Sequence, residues 1–183
     1  MKLFIFMGAS GSGKSTIQHS LPIPFMTNRT TRPLREGEVN GYHIQKVTKE
    51  EFLHLQKMGF FFETTEYAGE YYGTPTESIN KLYDGQPFHC TKDINGVIDL
   101  KNKLGKRAVS IYIKPPSIIT LIWRMIKRRD SLKAIIKRIK HLRQTEELEN
   151  EKYADYVIVN DDLKQAQLEA HQIVIKELIK GNV

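Results

Sequence analysis

A glycine-rich segment near the start of the chain restricts the fold more than any other feature of the sequence. Gly8-Ala9-Ser10-Gly11-Ser12-Gly13-Lys14-Ser15 matches the pattern G-x-x-x-x-G-K-[ST]. The apolar run at residues 2–7 predicts a buried strand before it, and residues 14–20 predict a helix after it. A strand, a glycine loop and a helix in this order are typical of a phosphate-binding loop, or P-loop.

The chemistry of such a loop follows from its residue types. Glycines let successive backbone N–H groups converge on a β-phosphate, while Lys14 would bridge the β- and γ-phosphates and the Ser15 hydroxyl would ligate Mg²⁺. A turn that binds nothing is the alternative, and a P-loop alone does not separate a GTPase, an ATPase motor and a small-molecule kinase. The residues predicted to bind ATP here are Gly8, Ser10, Gly11, Ser12, Gly13, Lys14, Ser15 and Thr16.

Two segments with capping-box patterns follow the loop. Thr48 and Glu51 predict a helix that runs to Met58, and Thr74 to Glu77, with Pro75 at the first helical position, predict another that Gly85 ends. Residues 27–41 predict an exposed loop and edge strand, and residues 60–63, 66–67 and 71–72 predict strand pieces around a turn.

The remainder of the chain alternates between strand and helix patterns. Strands are predicted at residues 88–91, 109–113 and 156–159, with helices between them and a final helix from Asp162. This order favours the α/β class: a three-layer sandwich with a mainly parallel central sheet and helices on both faces. A length of 183 residues fits one domain.

The composition gives expectations about the cellular compartment of the protein and about the charge of its binding partners. No stretch approaches the roughly 18 apolar residues of a membrane span, so we expect a cytoplasmic protein. One cysteine, Cys90, excludes an internal disulfide, and we expect it to be buried. The net charge of +7 indicates anionic partners, and between Trp123 and Arg143 nine Lys or Arg residues stand against the single acid Asp130.

Several motifs, in the same order along the chain, resemble the guanylate kinase family. They are residues 30–38 (TTRPLREGE), 40–42 (NGY), Glu63, 71–74 (YYGT), 93–96 (DING), 113–117 (IKPPS) and 159–163 (VNDDL). The resemblance covers nearly the whole chain. It implies the P-loop kinase fold, with a nucleoside-monophosphate-binding (NMP-binding) subdomain at about 28–85, a lid at about 123–151, and a core at about 1–27, 86–122 and 152–183.

The resemblance also implies an acceptor site. Arg32 and Arg35 are forked donors suited to a phosphate dianion. By resemblance they hold the phosphate of GMP together with Tyr42 and Tyr72, while Glu63 accepts from guanine N1–H and the 2-amino group and Thr74 contacts O6. Asn28 stands where the family usually has Ser, and Thr91 where it commonly has Asp, which leaves Asp93 for base or metal-water contacts.

The basic segment is predicted to serve the transferred phosphate. Apolar residues at 132, 135, 136, 139 and 142 predict an amphipathic helix, whose simplest interpretation is a solvated basic helix. The resemblance instead places Arg124, Arg128 and Arg138 around the transferred phosphoryl group, on a lid that closes over ATP. With Lys14 of the P-loop and Arg32 of the acceptor site, they are the predicted catalytic residues. By the same resemblance Asn160 belongs to the ATP site.

These observations predict a nucleoside monophosphate kinase that transfers phosphate from ATP, with Mg²⁺, to GMP or dGMP. One alternative is a P-loop kinase of the same fold acting on another phosphorylated nucleoside or sugar. Another is a binding module whose basic helix contacts nucleic acid or protein after catalysis has faded. A regulatory GTPase is disfavoured because no N-K-x-D motif occurs. We expect a monomer or homodimer with no nucleic-acid or membrane partner.

Overall fold

The structure of the chain is a computed structural model that describes residues 1–34, 38–42, 44–67, 69–127, 129–145 and 147–180, without the side chains of Tyr67 and His141. Strands and helices alternate along most of it. The elements in chain order are β1 (Leu3–Met7), α1 (Lys14–Gln18), β2 (Asn28–Thr30), β3 (Ile44–Lys46), α2 (Lys49–Lys57), β4 (Phe61–Tyr67), β5 (Glu70–Pro75), α3 (Thr76–Tyr83), β6 (Phe88–Thr91), α4 (Ile94–Leu104), β7 (Ala108–Lys114), α5 (Ile118–Lys127), α6 (Leu132–Gln144), β8 (Tyr156–Val159) and α7 (Leu163–Lys180).

The strands form two sheets, and the chain divides into two compact units. One sheet has the order β6-β1-β7-β8, with β7 and β8 parallel, and the other has the order β3-β2-β5-β4. The first unit comprises Met1–Phe4 and Ile23–Ala108, and the second comprises Ile5–Pro22 and Val109–Val183. The predicted α/β class is confirmed: a parallel central sheet is flanked by helices. The predicted subdomain boundaries stay a prediction.

The second unit is held together by apolar strands and by a cluster beneath the glycine loop. Every residue of β1 is buried, as a strand between two others requires. Ala9 packs with Leu121 and Met125 of α5 and with Ile135 and Leu142 of α6. The predicted amphipathic helix is therefore present as α6, but only part of its apolar set is buried: Leu132 and Ile136 are 75% and 68% exposed.

The first unit is built on a mixed sheet covered by α2 on one side. The Thr48 hydroxyl accepts from the Glu51 N–H and caps α2, as the sequence predicts. Phe52 of this helix is fully buried and stacks on Phe61 of β4, with ring centroids 4.6 Å apart. This packing fixes one face of the sheet and leaves the other face to polar side chains.

Two expectations about the first unit were wrong. Residues 28–30 do not form an edge strand, because β2 pairs in parallel with β3 and antiparallel with β5, and Asn28 and Thr30 are buried. Thr74 does not cap a helix. It belongs to β5, its hydroxyl is turned into a buried polar cluster, and Pro75 is the N-cap of α3. Short polar strands carry too weak a period to be recognised before their partners are known.

One expectation about burial is confirmed, and a separate finding concerns membrane-spanning helices. Cys90 of β6 is fully buried, as predicted, and desolvation raises the pKa of its thiol to about 12. Within the described ranges, none of the helices combines the length and the apolar character needed to span a lipid bilayer.

Candidate nucleotide-binding sites

The glycine loop between β1 and α1 adopts a conformation that only glycine tolerates at its two ends. Gly8 has φ +131° and Gly13 has φ +99°. A Cβ atom on Gly8 would lie 2.6 Å from the Ile113 carbonyl oxygen, and one on Gly13 would lie 2.1 Å from Asn160 Nδ2. The loop is therefore packed closely against the ends of β7 and β8, which fixes its backbone path.

Two predicted site residues from distant parts of the chain brace this loop. Asn160, which follows β8, donates from Nδ2 to the Ser12 carbonyl oxygen at 2.6 Å. Arg124 of α5 donates to the carbonyl oxygens of Ser12 and Asn160 at 3.3 and 2.9 Å. The structure thus brings Ser12, Arg124 and Asn160 into direct contact, and their binding of a nucleotide stays a prediction.

The atoms in the loop fit an anionic ligand. The Ser12 hydroxyl and Asn160 Oδ1 are buried and have no hydrogen-bond partner among the residues that the structure describes. A buried hydroxyl without a partner is costly, and a phosphate oxygen is an acceptor that would satisfy it. The Lys14 ammonium group donates to the carbonyl oxygens of Gly8 and Ala9 at 2.5 and 2.9 Å, so a cation lies inside the loop. The Ser12 hydroxyl and the Lys14 ammonium group fit the phosphates of ATP.

Ser15 and Thr16 lie at the exposed start of α1. In the parts of the chain that the structure covers, no group of three or more His, Cys, Asp or Glu side chains is arranged to hold a metal ion. Mg²⁺ commonly takes one or two protein oxygens and completes its shell with water and nucleotide phosphates. An exposed Ser15 hydroxyl fits that mode of binding.

Two further basic residues, Arg138 and Arg128, are predicted to contact the transferred phosphate. Arg138 of α6 forms an ion pair with Asp130, which precedes the same helix. Its half-buried guanidinium group is thereby held in place, and its contact with a phosphate stays a prediction. Arg128 lies outside the described residues.

The predicted acceptor residues that lie on strands of the first unit share one face of its sheet. Glu63 of β4 pairs in register with Thr74 of β5, and Thr30 of β2 pairs with Tyr72 of β5. Because side chains two residues apart on a strand point to the same face, Thr74 and Tyr72 lie on that face together. Strand pairing therefore unites residues that are far apart in the sequence.

The centre of this face is a buried polar cluster. The Thr74 hydroxyl lies 3.0 Å from both Asn28 Oδ1 and Glu63 Oε2. The Lys92 ammonium group donates to Glu63 Oε2 at 2.8 Å and to the Thr74 hydroxyl at 2.7 Å. Glu63 Oε1 is buried without a hydrogen-bond partner within the described residues. A ligand that brings an N–H donor to this oxygen fits the cluster, and a guanine edge does so.

Arg32, one of the residues predicted to hold the acceptor phosphate, is positioned by a neighbouring carboxylate. Arg32 is held by Glu38 through two hydrogen bonds of 2.9 and 2.8 Å. Burial alone would lower the pKa of Arg32, but the hydrogen bond and charge of Glu38, with a smaller contribution from Tyr72, raise it. Arg32 and Tyr72 are thus neighbours, whereas the Tyr42 side chain is 64% exposed. Arg35 lies outside the described residues.

Asp93 lies at the start of α4 and is partly buried. Its Oδ1 accepts from the Gly96 N–H at 2.9 Å, so it is the N-cap of the helix, and its Oδ2 lies 3.5 Å from the Thr65 hydroxyl. Burial raises the pKa of its carboxyl, with the Gly96 hydrogen bond opposing. One carboxylate oxygen is committed to the cap and the other faces the Thr65 hydroxyl, so the contact of Asp93 with a base or with metal-bound water stays a prediction.

Two residues of these sites were missed at the sequence level. Lys92 is 3% exposed and pairs with the fully buried carboxylate of Glu63. A lysine directly after a buried strand and before a helix N-cap was the available signal, because charged side chains are buried only with a partner. Glu38, the partner of Arg32, lies six residues further along the same polar segment. Sequence spacing alone does not show this pairing.

One unit contains a P-loop that is supported by Arg124 and Asn160. The other contains a buried cluster around the Glu63 carboxylate, and an arginine, Arg32, that is held by Glu38. Together these features define a P-loop protein with sites for phosphorylated ligands. The guanylate kinase family model matches residues 1–177, and the chain belongs to this family.

Individual relatives agree with this assignment. Guanylate kinase of Neisseria gonorrhoeae is 38% identical over 94% of this chain and 86% of its own length, and that of Nostoc sp. is 36% identical over 95% and 89%. The crystal structure of guanylate kinase from Anaplasma phagocytophilum is 27% identical and has a TM-score of 0.73, covering 97% of this chain and 86% of the other. The predicted family and fold are confirmed.

Proposed function

We propose that this protein transfers the γ-phosphoryl group of ATP to GMP or dGMP, with formation of ADP and the matching nucleoside diphosphate. The observation that carries the choice of acceptor is Glu63, whose carboxylate is buried and whose Oε1 has no partner among the described residues. Adenine offers no donor at N1 and would leave this oxygen unpaired, a mismatch that discriminates by about 10⁴ to 10⁵ in such sites. The family of the chain supports the same acceptor.

The first unit is proposed to hold the acceptor. Arg32, with Arg35, Tyr42 and Tyr72, binds the acceptor phosphate, and its guanidinium is kept in position by Glu38. The base contacts are assigned to Glu63, Thr74, Asn28 and Asp93. Segment 28–85 corresponds to the proposed NMP-binding subdomain.

The second unit is proposed to hold ATP. The loop of residues 8–16 and Asn160 bind the nucleotide, and Lys14 moves its ammonium group from the loop carbonyls to the β- and γ-phosphates. The Ser15 hydroxyl would hold Mg²⁺, which when bound would supply positive charge next to the phosphates. Arg124, Arg128 and Arg138 stabilise the transferred phosphoryl group, and residues 123–151 act as a lid that excludes water.

No catalytic base is required in this proposal. The phosphate of GMP is already an anionic nucleophile at neutral pH, so the chain has only to align two anions and offset their repulsion. Arginines suit that task because they remain charged and bind phosphate through two donors. The proposed acting species is a monomer or homodimer in the cytoplasm, with no nucleic-acid or membrane partner.

A panel of acceptors tests the proposal. ADP release from ATP and Mg²⁺ is measured with GMP, dGMP, AMP, CMP, UMP and ribose phosphates in turn. The proposal predicts turnover with GMP or dGMP and at most trace turnover with AMP. A preferred acceptor that is not a guanine nucleotide would support the other kinase hypothesis, and salt-sensitive nucleic-acid binding without turnover would support the binding module.

A further inference from the structure

Lys92 belongs to the buried polar cluster of Asn28, Glu63 and Thr74, and the roles proposed so far do not use it. Its side chain is 3% exposed and that of Glu63 is fully buried, with Nζ and Oε2 2.8 Å apart. Burying two charges is costly unless each is paired and hydrogen-bonded. A lysine placed there has a direct effect on which ligand atoms the cluster can still accept.

The hydrogen-bond capacity of Glu63 is unequal between its two oxygens. Oε2 already accepts from the Lys92 ammonium group at 2.8 Å and lies 3.0 Å from the Thr74 hydroxyl, so it faces groups of the protein. Oε1 is buried and has no partner within the residues described. Only one carboxylate oxygen is therefore open to a ligand.

The two hydrogen-bond donors of the cluster, Thr74 and Lys92, also differ in how many protons they have left for a ligand. The Thr74 hydroxyl has one proton and faces two acceptors, Asn28 Oδ1 and Glu63 Oε2, both 3.0 Å away. Its proton is thus already used inside the protein. The Lys92 ammonium group has three protons and donates two hydrogen bonds to described residues, so its third N–H is a donor available to a ligand.

One open acceptor next to one open donor selects a particular base edge. A 6-oxopurine presents an acceptor at O6 beside a donor at N1–H, which complements Lys92 and Glu63 Oε1. A 6-aminopurine presents the reverse pattern: its amino group would place a donor against the Lys92 ammonium group, and its N1 would place an acceptor against Glu63 Oε1. The 2-amino group of guanine has no carboxylate oxygen of its own here, because Lys92 occupies Oε2.

We infer that Lys92 is a specificity-determining residue, which donates to the 6-oxo group and makes the site accept 6-oxopurine monophosphates with or without a 2-amino group. IMP, which lacks that group, is then an acceptor alongside GMP. This inference rests on the proposed function, because it concerns the same acceptor site. It deepens that function by replacing a single guanine nucleotide with a chemical class.

Steady-state kinetics with GMP, IMP and AMP test the inference on the wild-type protein. We expect kcat/KM for IMP to lie within about tenfold of that for GMP, and AMP to be rejected. A site that used both oxygens of its carboxylate on guanine would instead reject IMP by about 10⁴ to 10⁵, because a buried oxygen would be left unpaired. That larger ratio, with good turnover of GMP, overturns the inference and leaves the proposed function standing.

The Lys92→Met variant isolates the effect of the ammonium group. Its removal opens Glu63 Oε2 to the 2-amino group, so we expect the GMP-to-IMP ratio of kcat/KM to rise by about 10²-fold or more, as a newly required hydrogen bond implies. Loss of the donor to O6 affects both nucleotides equally and cancels in this ratio. An unchanged ratio overturns the inference.

The matched control is Lys81→Met, which removes an exposed lysine from α3 of the same unit and should leave the ratio unchanged. If Lys92→Met does not fold, the wild-type ratio decides alone. If the wild type turns over neither GMP nor IMP but prefers another acceptor, the proposed function itself fails. The two failures are thus distinguished in one data set.

Discussion

The side-chain amide of Asn160 donates a hydrogen bond of 2.6 Å to the carbonyl oxygen of Ser12, across 148 positions of sequence. This contact ties the segment after β8 to the P-loop. Asn160 lies so close to Gly13 that no side chain fits between them. The backbone path of the loop is therefore set by packing as well as by its own glycines, so the proposed phosphate binding needs no rearrangement of the backbone.

Gly13→Ala should disable the P-loop. The new Cβ would lie 2.1 Å from Asn160 Nδ2, and a non-glycine residue at φ +99° adds about 1–2 kcal/mol of backbone strain. We expect a lower melting temperature and a strongly raised KM for ATP. Gly85→Ala is the matched control, since φ is +100° there and no atom lies within 4 Å of its Cβ position. An ATP KM that changes equally in both variants would contradict the assigned packing.

Lys14→Met should lower kcat by about 10² to 10³, the usual loss when one donor to developing charge is removed from a preorganised site. The side chains have similar length, so the loop should keep its fold. Lys164→Met, an exposed lysine of α7, is the control and should keep wild-type turnover. Steady-state kinetics and thermal unfolding separate loss of catalysis from loss of structure. Near-wild-type turnover of Lys14→Met would be incompatible with ATP chemistry at this loop.

Arg138→Ala should also lower turnover strongly, because its guanidinium is assigned to the transferred phosphoryl group. The variant also breaks the ion pair with Asp130, so a second change is needed. Asp130→Asn weakens the same pair but keeps the arginine, and we expect it to retain most of the turnover. Equal losses in the two variants would mean that Arg138 acts only through the structure of α6.

Glu63→Gln should sharply reduce kcat/KM for GMP, because an amide offers a donor where the cluster needs an acceptor. The change leaves the Lys92 ammonium group buried without its anion, which costs about 3–5 kcal/mol of stability. The double variant Glu63→Gln/Lys92→Met should recover part of that stability in urea unfolding but not the GMP kinetics. Glu66→Gln, exposed on the same strand, is the control. GMP kinetics that survive Glu63→Gln would refute the assignment.

The buried thiol of Cys90 should give stability a measurable dependence on alkaline pH. Desolvation raises the pKa of Cys90 from 9.0 to about 12, so between these values the folded protein keeps a proton that the unfolded chain releases. The unfolding free energy then falls with rising pH, by about 1.4 kcal/mol per pH unit from this group. Urea unfolding from pH 8 to 11 should show a shallower fall for Cys90→Ala. Equal slopes would contradict the assigned burial.

Much of the fold could be predicted because its signals are local. The P-loop pattern, the cap of α2 by Thr48, and the strand–helix alternation after Phe88 depend on residues close in sequence, and the structure contains all of them. The position of β2 inside a sheet could not be predicted, since a three-residue polar strand has no period of its own and is defined only by β3 and β5.

The sequence predicted several residues of the candidate site, but it did not predict the side chains with which they pair. Glu63, Thr74 and Arg32 were identified from motifs, whereas Lys92 and Glu38 were not, because each is recognised only through the group it pairs with. The mistaken helix cap at Thr74 has the same origin. Its hydroxyl has a local partner available in a helix, but the buried cluster offers Glu63 and Lys92 instead, and tertiary contacts prevail.

The central claim, phosphoryl transfer from ATP to GMP, is tested most directly by identifying the products. ³¹P NMR of ATP, GMP and Mg²⁺ with the purified protein should show ADP and GDP appearing in equal amounts, at a rate proportional to protein concentration and lost in Lys14→Met. Formation of ADP with inorganic phosphate in place of GDP, or no consumption of ATP by folded protein, would contradict the account.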